Sequence, residues 1–401
     1  MSNFTIFNIN LINLETGKDI PRQDILMKGG KIISIEDSNK KSDLSNIRYI
    51  DGTNCWVIPG LIDSHVHFTE EGNPALNELR KDIHHEQMDT IYTRCVYNLR
   101  SAITSGIIGV RDLGCSGHTR FVSIKVKERI ERIRGCFPSI ATSGPAIVSP
   151  CGHHEDFSIE IKDVDRCIVL IHKLANAGAS MIKLINDFPV IFSPGQIKEM
   201  TKEAHKMKMS FSIHAFTPEG IENAVLGGAD TIEHASPLSD YLLELIKKNH
   251  VTLIPTLYCS EITCEYDYRC LTPAKYMQSF LEWRDSLRKN LPNAFANGIN
   301  ILAGTDAGIP PSSFSDIHKE LISYTNLGIS PLDALKTATV NYSKIKNVSN
   351  NDPLKKHSTD LKKGGLANFI ILSENPLENI SNTSKINNII FNGRPLMHYR
   401  Y

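Results

Sequence analysis

Near its amino-terminal end the chain contains Val57-Ile-Pro-Gly-Leu-Ile-Asp-Ser-His65-Val-His67, an apolar run that ends in two histidines one residue apart. The apolar residues predict a buried β-strand. Alternate side chains of a strand lie on the same face, so His65 and His67 should point to one side. Two imidazoles on one face can hold a zinc-like ion, although such a pair in isolation is more often structural. The run therefore predicts a strand with a candidate metal site at its carboxyl end.

Seven further apolar runs follow, separated by longer stretches with helical periodicity. They are Ile107–Val110, Ser139–Thr142, Met181–Ile185, Ser210–Ile213, Asp230–Glu233, Val251–Ile254 and Ile299–Ala303. Helix starts are indicated by Ser193-Pro194 and Ser330-Pro331. Eight βα units over about 290 residues predict an α/β fold of the (β/α)8 TIM-barrel type. A doubly wound open sheet is the alternative, and the sequence contains no glycine-rich phosphate-binding motif to favour it.

Both ends of the chain are predicted to form short β-strands, because polar and apolar residues alternate there. The candidates are Phe4–Leu11, Asp24–Lys28, Lys31–Glu36, Asn368–Leu372 and Ile386–Asn392. We expect residues 1–57 and 346–401 to form one small β-sandwich domain and residues 58–345 to form the barrel.

Charge and cysteine content restrict the classes of function. Lys plus Arg number 44 and Asp plus Glu number 44, so no overall field favours nucleic acid or an anionic membrane. A small molecule is the expected partner, and a homo-oligomer is left open. The amino-terminal segment lacks the features of a secretory signal, and no apolar run approaches the roughly 18 residues that span a bilayer. Nine cysteines without a Cys-x-x-Cys pair favour a reduced, soluble, cytoplasmic chain.

Ionisable side chains occur in or directly after five of the predicted strands, whose carboxyl ends are where barrel enzymes build their active sites. Besides the first histidine pair, they are Lys183, His214, His234 and Asp306. His214 and His234 follow consecutive strands and could contact the same ion. Each of these residues alone would more readily be interpreted as structural, but together they indicate a metal site.

Lys183 and Asp306 each allow more than one interpretation. Lys183 lies inside a predicted buried strand, where an unpaired ammonium is costly or loses its proton. It is therefore a salt-bridge partner, a lysine that extends to solvent, or a neutral amine that adds carbon dioxide to become a carbamate. Asp306 lies in Gly304-Thr-Asp-Ala-Gly308 and is either a metal ligand and base or the residue of an Asx turn or helix cap.

Six motifs in combination resemble the amidohydrolase superfamily. They are Gly60-Leu-Ile-Asp-Ser-His-Val-His67, Val110-Arg-Asp-Leu-Gly114, the Lys183 strand, Ile213-His-Ala-Phe-Thr-Pro-Glu-Gly220, Thr231-Ile-Glu-His234 and Gly304-Thr-Asp-Ala-Gly308. Within the superfamily the chain most resembles the imidazolonepropionase-related branch, which includes metal-dependent Xaa-Pro and Xaa-Arg dipeptidases. The resemblance extends over essentially the whole chain.

This resemblance implies a cofactor of two divalent metal ions, with zinc as the expected metal. One ion would be bound by His65, His67 and Asp306, and the other by His214 and His234. A carbamate on Lys183 would bridge them. A hydroxide between the ions would attack the substrate carbonyl, and Asp306 would carry its proton to the leaving nitrogen.

The resemblance also suggests residues that contact the substrate. Ser149-Pro-Cys-Gly-His153 resembles the Gly-Gly-His motif of the dipeptidases, and His153 is therefore a candidate substrate-binding residue. In this motif Cys151 replaces the first glycine. Tyr258, just after the seventh predicted strand, and Arg269, in the following loop, are further candidates for binding a substrate carboxylate.

The leading prediction is a metal-dependent hydrolase of a C–N amide bond in a dipeptide or N-acyl amino acid. A cyclic amide of the imidazolone type is the nearest alternative substrate. A deaminase-type relative with one metal ion is a second alternative, against which Lys183 argues. A metal-dependent binding protein without turnover is an alternative of a different class.

Overall fold

A computed structural model describes seven stretches of the chain. They are residues 4–38, 48–73, 86–115, 121–133, 136–150, 158–265 and 274–396. Over these residues the chain has an α/β fold with one mixed β-sheet and two parallel β-sheets. The predicted α/β class is thereby confirmed. Among the described residues, none of the helices is both long and apolar enough to cross a bilayer.

Seventeen strands and ten α-helices make up the regular structure of the described residues. The strands are β1 (Phe4–Asn13), β2 (Lys18–Lys28), β3 (Lys31–Asp37), β4 (Arg48–Asp51), β5 (Trp56–Pro59), β6 (Leu61–Val66), β7 (Ile107–Asp112), β8 (Ser139–Thr142), β9 (Ala146–Val148), β10 (Ser158–Glu160), β11 (Met181–Ile185), β12 (Ser210–Ala215), β13 (Thr231–His234), β14 (Thr252–Ile254), β15 (Phe369–Leu372), β16 (Ile386–Phe391) and β17 (Arg394–Leu396). The α-helices are α1 (Met88–Thr104), α2 (Val122–Arg132), α3 (Val164–Ala177), α4 (Pro194–Lys206), α5 (Pro218–Leu226), α6 (Asp240–Asn249), α7 (Leu257–Glu265), α8 (Ala274–Ala296), α9 (Ile317–Asn326) and α10 (Pro331–Thr337). Short 3-10 helices lie at Val340–Lys344 and Ile380–Ser384.

The mixed sheet combines strands from both ends of the described chain, in the order β17-β16-β15-β5-β1-β2-β3, with β4 paired to β1. The junction is the antiparallel pairing of β15 with β5, which itself lies parallel to β1. Gly29 and Gly30 form the predicted turn between β2 and β3 at φ 63° and 81°, a region that glycine enters without a steric penalty. One face of this sheet packs its own apolar core, which includes Ile25, Val57 and Phe369.

The parallel strands form one sheet in the order β6-β7-β8 and another in the order β10-β9-β11-β12-β13-β14. Helices lie between many of these strands, as the alternating sequence pattern predicts. Helix α4 begins with the predicted serine cap, because Ser193 Oγ accepts a hydrogen bond from Gln196 N while Gln196 Oε1 accepts one from Ser193 N at 2.9 Å.

Two predicted strands differ from what the sequence suggested. The run from Val57 to Ile62 is divided at Gly60 between the mixed sheet and a parallel sheet. At this crossing the chain packs tightly, since a Cβ on Gly60 would lie 2.4 Å from Ile108 Cγ2. The run from Ile299 to Ala303 forms an isolated bridge at Ile301 rather than a regular strand.

The hydrogen bonds of the segment 300–307 explain why it forms no continuous ladder. Asn300 O accepts from Leu253 N of β14 at 2.9 Å, and Ala303 O accepts from Ser64 N of β6 at 2.9 Å. Further on, Asp306 N donates to His65 O at 2.8 Å. The segment therefore divides its backbone bonds between two neighbours and lies between the two parallel sheets.

Candidate metal centre

The predicted ligands come from five separate parts of the described chain. His65 lies in β6 and His67 just after it, Lys183 lies in β11, His214 lies in β12, His234 ends β13, and Asp306 lies in the segment after β14. All six line one small cavity. The remaining lining residues are Ile185 and Ile309.

His65, His67 and Asp306 form the tightest group in this cavity. Asp306 Oδ1 lies 3.3 Å from Nε2 of each histidine, and one ligand atom from each residue lies within 4.8 Å of the others. Burial by itself would raise the pKa of Asp306, but the imidazoles, His65 foremost, hold it below its usual range. Asp306 is thus an anion that faces two imidazole nitrogens.

Glycines on both sides of Asp306 allow this close approach. A Cβ on Gly308 would lie 2.3 Å from His67 O, and one on Gly304 would lie 2.7 Å from His65 Cβ. Asp306 itself has a left-handed backbone, with φ 56°. Larger residues at the two glycine positions would push the aspartate away from the histidines.

His214 and His234 lie together, with ring centroids 4.6 Å apart, and His234 is 5.0 Å from His65. Thr256 Oγ1 lies 2.7 Å from His234 Nδ1 and also donates to Pro255 O at 2.7 Å. A hydroxyl has a single hydrogen, so Nδ1 of His234 must be the donor. Its Nε2 therefore carries a lone pair that is suited to a metal ion.

Lys183 is only 2% exposed, and its Nζ has no hydrogen-bond partner among the described residues. Burial lowers the pKa of Lys183 to about 8, while the carboxylates of Glu233 and Asp306 act in the opposite direction. The lowered pKa makes the neutral amine far more accessible than in an exposed lysine, and no hydrogen bond from the described residues supports the salt-bridge interpretation.

Aromatic side chains border the histidines. Phe216 stacks on His234 with centroids 4.8 Å apart and an interplanar angle of 13°. Trp283 lies edge-on to Phe216 at 5.0 Å and to His234 at 5.4 Å. Together with Ile185 and Ile309, these residues give the surroundings of the ligands an apolar character.

Of the three predicted substrate contacts, the structure describes Tyr258. His153 and Arg269 lie outside the described residues. Tyr258 is in the first turn of α7, where its backbone N donates to Glu320 Oε2 at 2.6 Å and Lys319 Nζ lies 5.1 Å from its ring centroid. It is not among the described residues that line the cavity, so substrate contact by Tyr258 stays a prediction.

Sequence analysis missed the buried polar residues that contact the ligands. Glu233 accepts from His65 Nδ1 at 2.8 Å, and Arg111 pairs with Glu233 at 3.1 Å. Asp63 accepts from Thr305 Oγ1 at 2.6 Å, which ties the segment after β14 to β6. The available signal was a charged residue at the end of a predicted buried strand or directly after it, as Glu233, Arg111 and Asp63 are.

The chain is similar in sequence to proteins of a known family. The profile of the amidohydrolase family matches residues 56–396. The chain is 24% identical over 359 residues to the ochratoxinase of Aspergillus niger, covering 81% of this chain and 71% of that protein. It is 22% identical over 268 residues to the imidazolonepropionase of Stenotrophomonas maltophilia, covering 58% of this chain and 63% of that protein.

Solved structures show the same fold. A Xaa-Pro dipeptidase with methionine bound in its active site superposes with a TM-score of 0.85 at 22% identity, covering 98% of this chain and 100% of the other. The A. niger ochratoxinase superposes with a TM-score of 0.81 at 21% identity, and the match covers 98% of this chain and 95% of the ochratoxinase chain. The resemblance inferred from the motifs is confirmed. Since the family match extends from residue 56 to residue 396, the chain belongs to the amidohydrolase family and is a hydrolytic enzyme that acts on C–N bonds.

Proposed function

We propose that this enzyme hydrolyses a C–N amide bond in a dipeptide or N-acyl amino acid with the help of two divalent metal ions. The observation that carries the proposal is the convergence of four histidines, a lysine and an aspartate on one cavity. Burying so many ionisable groups together is costly unless they bind an ion.

The proposed architecture is a closed (β/α)8 barrel over residues 58–345, with a small β-sandwich made of residues 1–57 and 346–401. Backbone bonds from the segment 300–307 to both β14 and β6 support closure on one side. On the other side, Ser180 N donates to Thr142 O at 2.8 Å and so joins β8 to the start of β11. The first proposed boundary lies within β5.

The residues present fit a pair of zinc ions. Imidazole and carboxylate are zinc ligands, and a hydrogen bond at Nδ1 commonly fixes the histidine so that Nε2 binds the metal. His65 and His234 each have such a bond, to Glu233 and Thr256. In this proposal His65, His67 and Asp306 hold one ion, and His214 and His234 hold the other.

Lys183 would complete the centre as a carbamate. Its neutral amine attacks the carbon of carbon dioxide, an N–C bond forms, and one amine proton leaves to solvent. The product would be an anion whose carboxylate-like oxygens are suited to binding divalent metal ions. The burial of Lys183 and the lack of a hydrogen-bond partner for Nζ among the described residues support this role.

Divalent ions bound here would lower the pKa of a water molecule and polarise the substrate carbonyl. Asp306 then holds the proton that the attacking water loses and delivers it to the leaving nitrogen. The apolar side chains of Ile185 and Ile309 also line this cavity. Hydrolysis of an amide needs a group that acts first as a base and then as an acid. Asp306 is suited to this role, because it lies beside His65 and His67, the two histidines proposed to bind the first ion.

Similarity to a Xaa-Pro dipeptidase structure supports a dipeptide substrate. Similarity to an imidazolonepropionase favours a cyclic amide as the second candidate. The cytoplasmic location and a homo-oligomeric state stay predictions.

A substrate screen tests the proposal. Full-length protein prepared with Zn²⁺ and bicarbonate is assayed against dipeptides, N-acyl amino acids and cyclic amides, with Asp306→Asn as the blank. We expect release of the amino acid from at least one linear amide and a loss of about 10²–10⁴-fold in Asp306→Asn. Turnover confined to cyclic amides would replace the proposed substrate class, and silence over the whole panel would favour a binding protein.

A further inference from the structure

A buried carboxylate contacts the first metal-binding histidine from inside the protein. Glu233 is fully buried in β13, and its Oε2 lies 2.8 Å from His65 Nδ1. A carboxylate only accepts, so the hydrogen must be on His65 Nδ1. Nε2 of His65 then carries the lone pair, on the side of the ring that faces Asp306 Oδ1 at 3.3 Å.

Three donors hold the other oxygen of Glu233. Its Oε1 accepts from Ser212 Oγ at 2.6 Å, from Thr231 Oγ1 at 2.8 Å and from Arg111 Nη1 at 3.1 Å. With His65 on Oε2, the carboxylate receives four hydrogen bonds, which is about its full capacity. A protonated glutamic acid could not accept all four, so the surroundings select the carboxylate and fix its plane.

Arg111, like Glu233, is fixed by several hydrogen bonds. It is 1% exposed, Nη2 donates to Thr231 Oγ1 at 2.9 Å, and Nη1 also lies 3.3 Å from Ser64 O. The Thr231 hydroxyl therefore accepts from the arginine and donates to the glutamate. These contacts connect β6, β7, β12 and β13, three of which carry predicted metal ligands.

The backbone allows consecutive residues of β13 to contact the same histidine. Neighbouring side chains of a strand normally point to opposite faces. His234, however, has φ 65° and Ala235 has φ 48°, so the strand conformation ends there. The ring of His234 lies 5.0 Å from that of His65 while Glu233 binds His65 Nδ1.

We propose that Glu233 is a positioning residue for the metal centre: clamped by Arg111, Ser212 and Thr231, it fixes His65 as the Nδ1–H tautomer with Nε2 directed into the cavity. The inference rests on the proposed metal-dependent function. It assigns a role in metal binding to two charged residues, Glu233 and Arg111, that are not among the described residues lining the cavity.

The direct readout is the tautomer of His65 in metal-free protein. Full-length chain labelled with ¹⁵N-histidine is studied by two-bond N–H correlation spectra, and the His65 signals are identified by their loss in His65→Gln. We expect Nδ1–H in the wild type. In Glu233→Gln the amide group can donate to Nδ1, so His65 should change to Nε2–H or to a mixture.

Zinc affinity is the second readout, measured by competition with a chelator and Zn²⁺ alone. Loss of a partner behind a metal ligand typically weakens metal binding by about 10–100-fold, and we expect this for Glu233→Gln. Glu320→Gln is the matched control, because Glu320 is an equally buried glutamate whose oxygens bind the backbone N–H groups of Leu257 and Tyr258. It should keep both the His65 tautomer and the zinc affinity.

The two proposals fail in different ways. An Nε2–H tautomer of His65 in the wild type overturns the positioning role, whether or not the Glu233 variant folds. Unchanged zinc affinity in a folded Glu233→Gln protein overturns it as well. If the tautomer and affinity results are as expected but no amide in the panel is hydrolysed, Glu233 positions a metal ligand and the proposed activity is wrong.

Discussion

Cys259 Sγ lies 3.8 Å from Asp306 Oδ2, whereas Oδ1 of the same carboxylate faces the Nε2 atoms of His65 and His67. The two oxygens of the proposed acid and base thus have different neighbours. Cys259 is 2% exposed and lies near the start of α7, so the thiol is held in place by the fold. Oδ2 is the oxygen left to carry a proton, and the thiol is a weak donor beside it.

This contact predicts a difference between two substitutions of Cys259. Cys259→Ser keeps a donor, whereas Cys259→Val keeps much of the volume and removes it. We expect kcat to fall about tenfold in the valine variant, equivalent to ~1.4 kcal/mol, with little change in KM, and the serine variant to retain most of the activity. Steady-state kinetics on the best substrate measure this. Equal losses in both variants would mean that packing alone matters at this position.

Because Lys183 is buried, we expect the free energy of unfolding of the metal-free protein to depend on pH. Burial lowers its pKa from 10.5 to about 8, whereas an unfolded chain keeps the ordinary value. Between these values the unfolded state binds more protons than the folded state, so the free energy of unfolding contributed by Lys183 rises with pH. The rise is on the order of 3 kcal/mol across the window and is complete above the unfolded pKa.

Denaturant unfolding in carbon dioxide-free buffer with a chelator measures this effect. Lys183→Met is the control, since it keeps an apolar stem and has nothing to titrate. The wild type should gain stability relative to this variant as the pH rises through the window. Parallel curves for the two proteins would show that Lys183 is not buried as an unpaired amine.

The position of Ile309 leads us to expect that the substrate has an apolar part. Ile309 is half-buried and lines the cavity beside the proposed metal ligands. Ile309→Ser should raise KM for apolar substrates by about tenfold, because burial of one such side chain contributes roughly 1.5–3 kcal/mol at most. Ile133→Ser, at a position that is 45% exposed, is the surface control. If Ile309→Ser leaves KM unchanged, the substrate does not contact Ile309 and this prediction is wrong.

Much of the centre could be predicted because its ligands follow a simple pattern. His65, His214 and His234 lie at or near the carboxyl ends of apolar strands, and parallel strands bring those ends together. The partners of these ligands could not be predicted in this way. Glu233 and Arg111 are 122 residues apart in the chain, and each looks unfavourable in a buried strand until the other is known.

The course of the backbone at two places could not be predicted from the sequence either. Whether the run around Gly60 is one strand or two depends on the close contact with Ile108, which no periodicity reveals. The segment that carries Asp306 divides its hydrogen bonds between β14 and β6, although its apolar pattern resembles that of a regular strand. The contact between Cys259 and Asp306 depends likewise on how α7 packs.

Anomalous diffraction at the zinc edge, from crystals of the full-length protein grown with zinc and bicarbonate, tests the metal centre most directly. The account predicts two zinc peaks in the cavity, one beside His65, His67 and Asp306 and the other beside His214 and His234, with density for a carbamate on Lys183 between them. A single peak with an unmodified Lys183, or no peak in the cavity, would contradict it.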